Sequence, residues 1–250
     1  MFYLFRPWVL AKLSGEKSLR YRLEVMCGRF TLRSRDRIKL KWLSTSELPV
    51  EERYNIAPGQ TILAIADLGR GPEPISIVWG LIPSWSNDGK RFINARCETL
   101  EERPSFSESF QRRRCLIPAD GCFEWRRLGR SKQPFYLQLR DESPFAFAGI
   151  WDQWDNSEQL ITSCAIITTA ANELVGPLHD RMPAILPAES YDRWLNPNTD
   201  RATLEKLLSP FPASQMKSHP VSSAVSYPEN DNDQLITRME VEVGTTPSLF

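Results

Sequence analysis

Strand-length apolar runs broken by turn-forming residues, with no alternation of strands and crossover helices, set the first limit on this fold. Thr-Ile-Leu-Ala-Ile-Ala at 61–66 and Ile-Ser-Ile-Val-Trp at 75–79 lie on either side of a Gly- and Pro-rich turn at 69–74. Further runs rich in Ile, Phe and alternating residues occupy 114–118, 134–139, 145–150 and 161–169. Helices are expected as short pieces: a charged one at 31–43 with Ile38, Trp42 and Leu43 inward, and others at 98–103, 105–111, 188–195 and 200–208. Asp200 is the expected N-cap of the last, which Pro210 and Pro212 stop. The absence of a βαβ rhythm disfavours a doubly wound sheet and predicts an α+β, β-rich mixed fold. No internal repeat interrupts the pattern, and polar residues from about Asn230 predict a loosely ordered tail at 231–250.

With 250 residues the chain can bury one substantial core. Lys plus Arg number 31 and Asp plus Glu 31, so bulk charge excludes a strongly basic nucleic-acid binder but leaves room for a local basic groove. The five cysteines, Cys27, Cys97, Cys115, Cys122 and Cys164, are odd in number and irregular in spacing. No CxxC pair occurs, so neither a zinc site nor a disulfide framework is expected, and a reducing compartment fits best. No run is apolar enough to span a membrane. Residues 1–25 lack the pattern of a secretory signal, because Arg6 and Pro7 interrupt the apolar start.

Four short segments hold groups able to do chemistry. Met-Cys-Gly-Arg-Phe at 26–30 would, with Met26 as initiator, expose Cys27 as the first residue. An α-amine with a pKa of about 8 beside a thiol can form a Schiff base with an aldehyde and then close a thiazolidine ring. The alternative is a buried strand cysteine. Asn-Ala-Arg-Cys-Glu-Thr at 94–99 offers Asn94 to position a polar substrate and Arg96 to grip a phosphate; equally, Arg96 and Glu98 could be a structural pair. Glu124 sits between Phe123 and Trp125, an apolar setting that suits a carboxyl to proton transfer, or else it is a strand Glu beside core aromatics. His179, one of only two histidines, follows the Gly176-Pro177 break and can exchange a proton near neutrality; a solvated loop histidine is the alternative.

Two features bear on nucleic acid. Residues 111–132 hold Arg112, Arg113, Arg114, Arg126, Arg127, Arg130 and Lys132 against Asp120 and Glu124, seven positive against two negative. Trp-Gly-Leu-Ile-Pro-Ser-Trp at 79–85 sets two aromatics in a loop where bases can stack. A solvated charge run and core tryptophans are the bland reading of both.

Together MCGRF, YNIAPGQ (54–60), WGLIPSW, NARCET, CLIPADGCFEW (115–125) and HDRMP (179–183) resemble, in order, the motifs of the SRAP family, the abasic-site-processing proteins. The resemblance covers roughly residues 26 to 230. It implies a β-rich α+β fold with barrel-like sheets, a few peripheral helices and a positively charged DNA channel. It also implies covalent crosslinking to abasic sites in single-stranded DNA through a Cys at position two of the translated product, shielding the lesion during the DNA-damage response. By position, Cys27 would be the crosslinking nucleophile, and Asn94 would orient the sugar or Schiff base. Glu124 would shuttle protons, and His179 would assist opening of the deoxyribose and crosslink reversal. Arg29, Arg96 and Arg181 match phosphate-contacting positions, and Trp79 and Trp85 match the region that holds bases apart.

The resemblance implies no metal and no cofactor, abasic single-stranded DNA as partner, a monomer, and a cytoplasmic, nucleoid-associated location. It further implies self-processing peptidase and lyase activities. The chain departs from the family at Cys97, where a small residue is usual, and in its 25 leading residues. With that extension attached Cys27 has an amide nitrogen, which cannot form a Schiff base, so residues 1–25 are expected to be missing from the mature protein. Two competing functions remain at this point: a cysteine hydrolase acting in trans through Cys27, His179 and Asn94, and a non-catalytic binding module using the 111–132 run.

Overall fold

A computed structural model describes residues 28–33 and 51–240 of the chain. Its strands are β1 (Phe30–Leu32), β2 (Arg53–Ile56), β3 (Thr61–Asp67), β4 (Pro72–Trp79), β5 (Asn94–Arg96), β6 (Arg114–Ala119) and β7 (Gly121–Leu128). They continue with β8 (Ser131–Leu139), β9 (Phe145–Asp155), β10 (Leu160–Ala170), β11 (Arg181–Pro183), β12 (Ile185–Leu186) and β13 (Met216–Pro220). The helices are α1 (Ser107–Arg112), α2 (Tyr191–Leu195) and α3 (Arg201–Leu207).

Five of the strands close on themselves. β10 pairs with β4, β4 with β3, β3 with β6, β6 with β9, and β9 again with β10. Every pair in this ring is antiparallel except β4 with β10. Closure leaves these strands without an open edge over the paired stretch. It also explains why β6 is buried at all six positions instead of alternating: one face fills the barrel, and the other lies under neighbouring elements. A second sheet of order β13-β8-β7-β1-β2 packs beside the barrel. Phe30 of β1 joins the two, with its ring edge-on to Trp79 at 5.3 Å and to Phe147 at 5.8 Å.

The β-rich α+β reading agrees with this architecture, and all six apolar runs are strands. The expected turn at 69–74 is tighter than its composition indicated. Asp67 Oδ1 accepts the N–H groups of Gly69 at 2.7 Å and Gly71 at 2.9 Å, which lets β4 begin at Pro72. Asp200 caps α3 as expected, accepting from the Thr203 N–H at 3.0 Å. The helix expected at 98–103 is a single 3-10 turn over Cys97–Thr99, with Pro104 closing the segment before a longer helix can propagate. The helix at 188–195 is a 3-10 turn followed by α2.

The helix expected at 31–43 is overruled at its start. Thr31 and Leu32 belong to β1, where pairing to both β2 and β7 outweighs local helical preference; residues 34–43 lie outside the described residues. The tail expected to be loose from Asn230 is packed as far as it is described. Leu235 is buried in a satellite core with Phe123, Tyr136, Val221 and Val225. The Asp231 carboxylate accepts from the Asn55 N–H at 3.0 Å and pairs with Arg53. One apolar residue and one carboxylate are enough to dock a polar segment whose average composition says otherwise. Among the described residues no helix is long and apolar enough to cross a membrane.

Gly121 is where this packing is tightest. A Cβ there would stand 2.1 Å from the Tyr136 hydroxyl, which a 2.8 Å contact with Thr31 Oγ1 holds in place. Gly121→Ala is expected to cost roughly 1–3 kcal/mol through overpacking, read as a lowered midpoint in urea unfolding. An unchanged midpoint would mean that Tyr136 swings aside without penalty.

Candidate active site

Chain direction brings the N-terminal segment to Glu124. Phe30 pairs with Cys122 and Thr31 with Gly121, and the Phe123 N–H donates to the Arg29 carbonyl at 3.1 Å. The backbone leading from Cys27 into β1 thus runs antiparallel beside the strand that carries Glu124. Cys27 itself lies outside the described residues. Glu124 is only 2% exposed, opposite Phe135 of β8. β1 is locked in place by a buried polar group: Thr31 Oγ1 hydrogen-bonds Asp120, and the Asp120 carboxylate accepts from the Arg33 N–H at 2.8 Å and its Nε at 3.0 Å.

The barrel carries further candidates. β5 lies parallel to β10, with Asn94 opposite Ile166 and Arg96 opposite Thr168, and β11 lies on β10 with Arg181 opposite Ala170. Asn94, Arg96 and Arg181 therefore converge on the same end of β10. Arg96 is exposed there. Arg181 is already engaged: its guanidinium makes a two-point pair with Glu98 and donates to the Thr168 carbonyl at 2.7 Å. The hydrogen bonds from Arg181 hold the Glu98 carboxyl below the usual carboxylate range.

His179 leads into β11. Its Nδ1 faces both the Arg181 N–H at 3.1 Å and the Asp180 carboxylate at 2.7 Å, and one nitrogen cannot accept from the first while donating to the second. Burial lowers the ring's pKa. Asp180, which is 85% exposed, opposes that shift, while Arg127, Arg181 and Lys132 reinforce it. The lowered pKa favours the neutral ring, and the two Nδ1 contacts call for opposite tautomers: Nδ1 unprotonated to accept from Arg181, or protonated to donate to Asp180. Both cations belong to the β7–β8 hairpin, opposite each other in register, and their charge is felt at His179.

The two tryptophans of the 79–85 motif separate. Trp79 is wholly buried, with Nε1 donating to the Ile93 carbonyl at 2.9 Å. It is a core residue with no face open to a base, and its expected DNA contact is corrected here. Trp85 is 58% exposed on a loop pinned from beneath. The Ile82 N–H donates to Ser163 Oγ at 2.9 Å, the Ser84 N–H to Asp152 Oδ2 at 2.8 Å, and Trp154 Nε1 to the Ser86 carbonyl at 2.6 Å. The basic run of 111–132 also divides. Arg114 is buried, its guanidinium donating to the carbonyls of Phe110, Gln111, Trp194 and Asn196. Arg113 pairs with Glu108 and Asp152. Arg112 is exposed at the end of α1, and Arg126, Arg127, Arg130 and Lys132 form an exposed group at the hairpin.

Comparison with known proteins matches this arrangement to one family. The model of the family described as SOS response associated peptidase (SRAP) fits residues 26–228, starting one residue before Cys27. The chain belongs to the SRAP family. Among its SRAP relatives, abasic site processing protein YoqW of Bacillus subtilis (strain 168) is 44% identical over 221 residues, covering 84% of this chain and 99% of the relative. Abasic site processing protein YedK of Escherichia coli (strain K12) is 31% identical over 224 residues, covering 84% and 99%. An X-ray structure of a protein from Bacteroides thetaiotaomicron superimposes with a TM-score of 0.74 at 29% identity, covering 86% of this chain and all of the other.

Several residues that shape this SRAP site were not singled out from sequence. Asp120 and Gly121 look like turn residues in CLIPADGCFEW, yet one anchors β1 and the other makes room for Tyr136. Asp152 and Ser163 hold the Trp85 loop from strands remote in sequence. Of these, only the Asp-Gly pair carried a signal: its place inside a motif between two apolar runs.

Proposed function

We propose that the protein processes abasic sites by capturing them covalently in single-stranded DNA, with Cys27 as the first residue of the mature chain. The observation that carries the reading is the β1–β7 register, which runs the segment following Cys27 alongside a buried carboxylate, Glu124. The names of the relatives support the abasic-site part of the reading.

The chemistry follows from the groups. The ring-opened deoxyribose presents an aldehyde. His179 assists ring opening by exchanging a proton with the sugar. The Cys27 amine adds to the aldehyde carbon, and the carbinolamine loses water to give a Schiff base, with Glu124 donating the proton that leaves with the hydroxyl. Glu124 then takes the thiol proton as sulfur adds to the imine carbon. The nitrogen is protonated, and the thiazolidine closes with one water lost overall. Asn94 orients the sugar. β-Elimination from the same Schiff base would cut the strand, giving lyase activity as a side path. Arg96 and the exposed hairpin cations track phosphates, and Trp85 stacks a base.

The test uses protein beginning at Cys27 and an oligonucleotide with one abasic site. A heat-stable adduct on a denaturing gel is expected, and it should vanish in Cys27→Ala. If the wild type forms no adduct, the reading is wrong. Trp85→Ala is expected to weaken binding to lesion-free single strands by about 1–3 kcal/mol at an unchanged melting temperature, because the ring contributes little to the core.

A further inference from the structure

Side chains alternate along β7 and β8, so their register assigns each one a face. Phe123 and Tyr136, opposite each other, point into the satellite core with Val221, Val225 and Leu235. Cys122 and Leu137 form the pair on the other face and belong to the main core. Glu124 and Phe135 are the next pair outward on that second face. Arg126 with Gln133, and then Leu128 with Ser131, continue the row toward the hairpin tip.

Along this row the surface opens. Glu124 is buried, Phe135 is half-buried, and Arg126 and Leu128 are exposed. Residues directly opposite in a sheet have Cβ atoms about 4.5–5.5 Å apart, and diagonal neighbours stay within reach of a long side chain. Arg126 uses the diagonal: its guanidinium carbon lies over the Phe135 ring, 5.8 Å from the centroid. A planar guanidinium seated on a ring keeps its second face for another partner. The other hairpin cations stand elsewhere. Arg127 and Lys132 are a pair on the opposite face, and Arg130 lies in the turn between the two strands.

We infer that Arg126, seated on Phe135, is the stacking plane for the nucleobase next to the abasic site. This rests on the proposed reading, which puts the lesion at Glu124. An abasic nucleotide has no base to hold, so the first base available is its neighbour's. Arg126 stands two residues beyond Glu124 on the same face, about 7 Å along an extended strand, a distance that one unstacked nucleotide spans. Single-stranded bases stack on guanidinium planes as they do on aromatic rings. Arg126 thereby differs from the phosphate-tracking cations around it, whose task a lysine would serve as well.

The experiment measures affinity of the full chain for single-stranded oligonucleotides carrying one tetrahydrofuran, an abasic analogue without an aldehyde, so that binding is read apart from capture. Wild type, Arg126→Lys and Phe135→Leu are compared across a salt series. Two further oligonucleotides replace the flanking base, on one side or the other, by a second tetrahydrofuran. Arg126→Lys is expected to bind about fivefold or more weakly with an unchanged salt slope, and Phe135→Leu, which removes the seat, to lose affinity likewise. On one side, removing the flanking base should cost wild type that same factor and cost Arg126→Lys nothing further, because both changes delete one contact. The inference is overturned if Arg126→Lys binds like wild type, since charge alone would then suffice. It is equally overturned if base removal costs both proteins the same on either side, which would assign the stacked base to Trp85 or another contact. Should Phe135→Leu keep its affinity, the ring is no seat and the inference also fails. Arg126 is exposed, so its variant reports on binding even if Phe135→Leu folds poorly. Absence of adduct with a true abasic site, in protein beginning at Cys27, would instead overturn the capture chemistry, and the tetrahydrofuran affinities would still decide the role of Arg126.

Discussion

Protein that retains residues 1–26 is expected to form no adduct with abasic single-stranded DNA, whereas the same chain starting at Cys27 forms it readily. The difference is one of bond type. At the chain start the Cys27 nitrogen is a primary amine with a pKa of about 8, partly neutral and nucleophilic near pH 7.5. Behind Met26 it is a peptide nitrogen whose lone pair is delocalised into the carbonyl, and it cannot form an imine. The thiol is present in both forms, so the thiol alone cannot rescue the reaction. Preparing the two chains separately and running their products on a denaturing gel measures this directly. Intact mass before and after incubation checks whether the longer form releases residues 1–26 by itself, which self-processing through Cys27 would require. An adduct formed by a chain whose intact mass still includes residues 1–26 would rule out imine chemistry at Cys27.

Glu124→Gln is the second large effect. The amide preserves the shape of a side chain that is 2% exposed, but it can neither give nor take a proton. Removing a positioned acid–base group costs typically about 10²–10⁴ in rate, and capture uses Glu124 twice, at water loss and at thiol addition. Adduct formation should slow within that range, while affinity for lesion-free DNA stays as in wild type, since a buried carboxylate meets no phosphate. An unchanged rate in Glu124→Gln would remove this residue from the chemistry and point to His179 or solvent as the proton carrier.

Trp79 and Trp85 show how far residue type reaches. Both read as aromatic surface in one loop, yet Trp79 fills the junction between barrel and second sheet and Trp85 faces solvent. Six residues of spacing cannot decide this, because the side of a loop that meets the core depends on strands 60 and more residues away, here those carrying Asp152 and Ser163. The same holds for the basic run. Arg114 and Arg126 carry equal charge in the sequence, but one is spent on four carbonyls beneath α2 while the other lies on an exposed hairpin.

What the sequence determined by itself was local or motif-borne: strand-length runs, the Asp200 cap, a β-rich fold and six ordered motifs, three of which nominate Asn94, Glu124 and His179. These rest on short-range sterics and on chemistry carried by residue type. What only the tertiary structure decided was pairing. It closed five strands into a barrel, laid the segment after Cys27 beside Glu124, gave Arg181 to Glu98, and packed residues of 222–236 against Phe123 and Trp125, the neighbours of Glu124. Such contacts join residues as far apart as Arg29 and Ser226. Their energy comes from burial and hydrogen-bond satisfaction across the whole chain, which no local window contains.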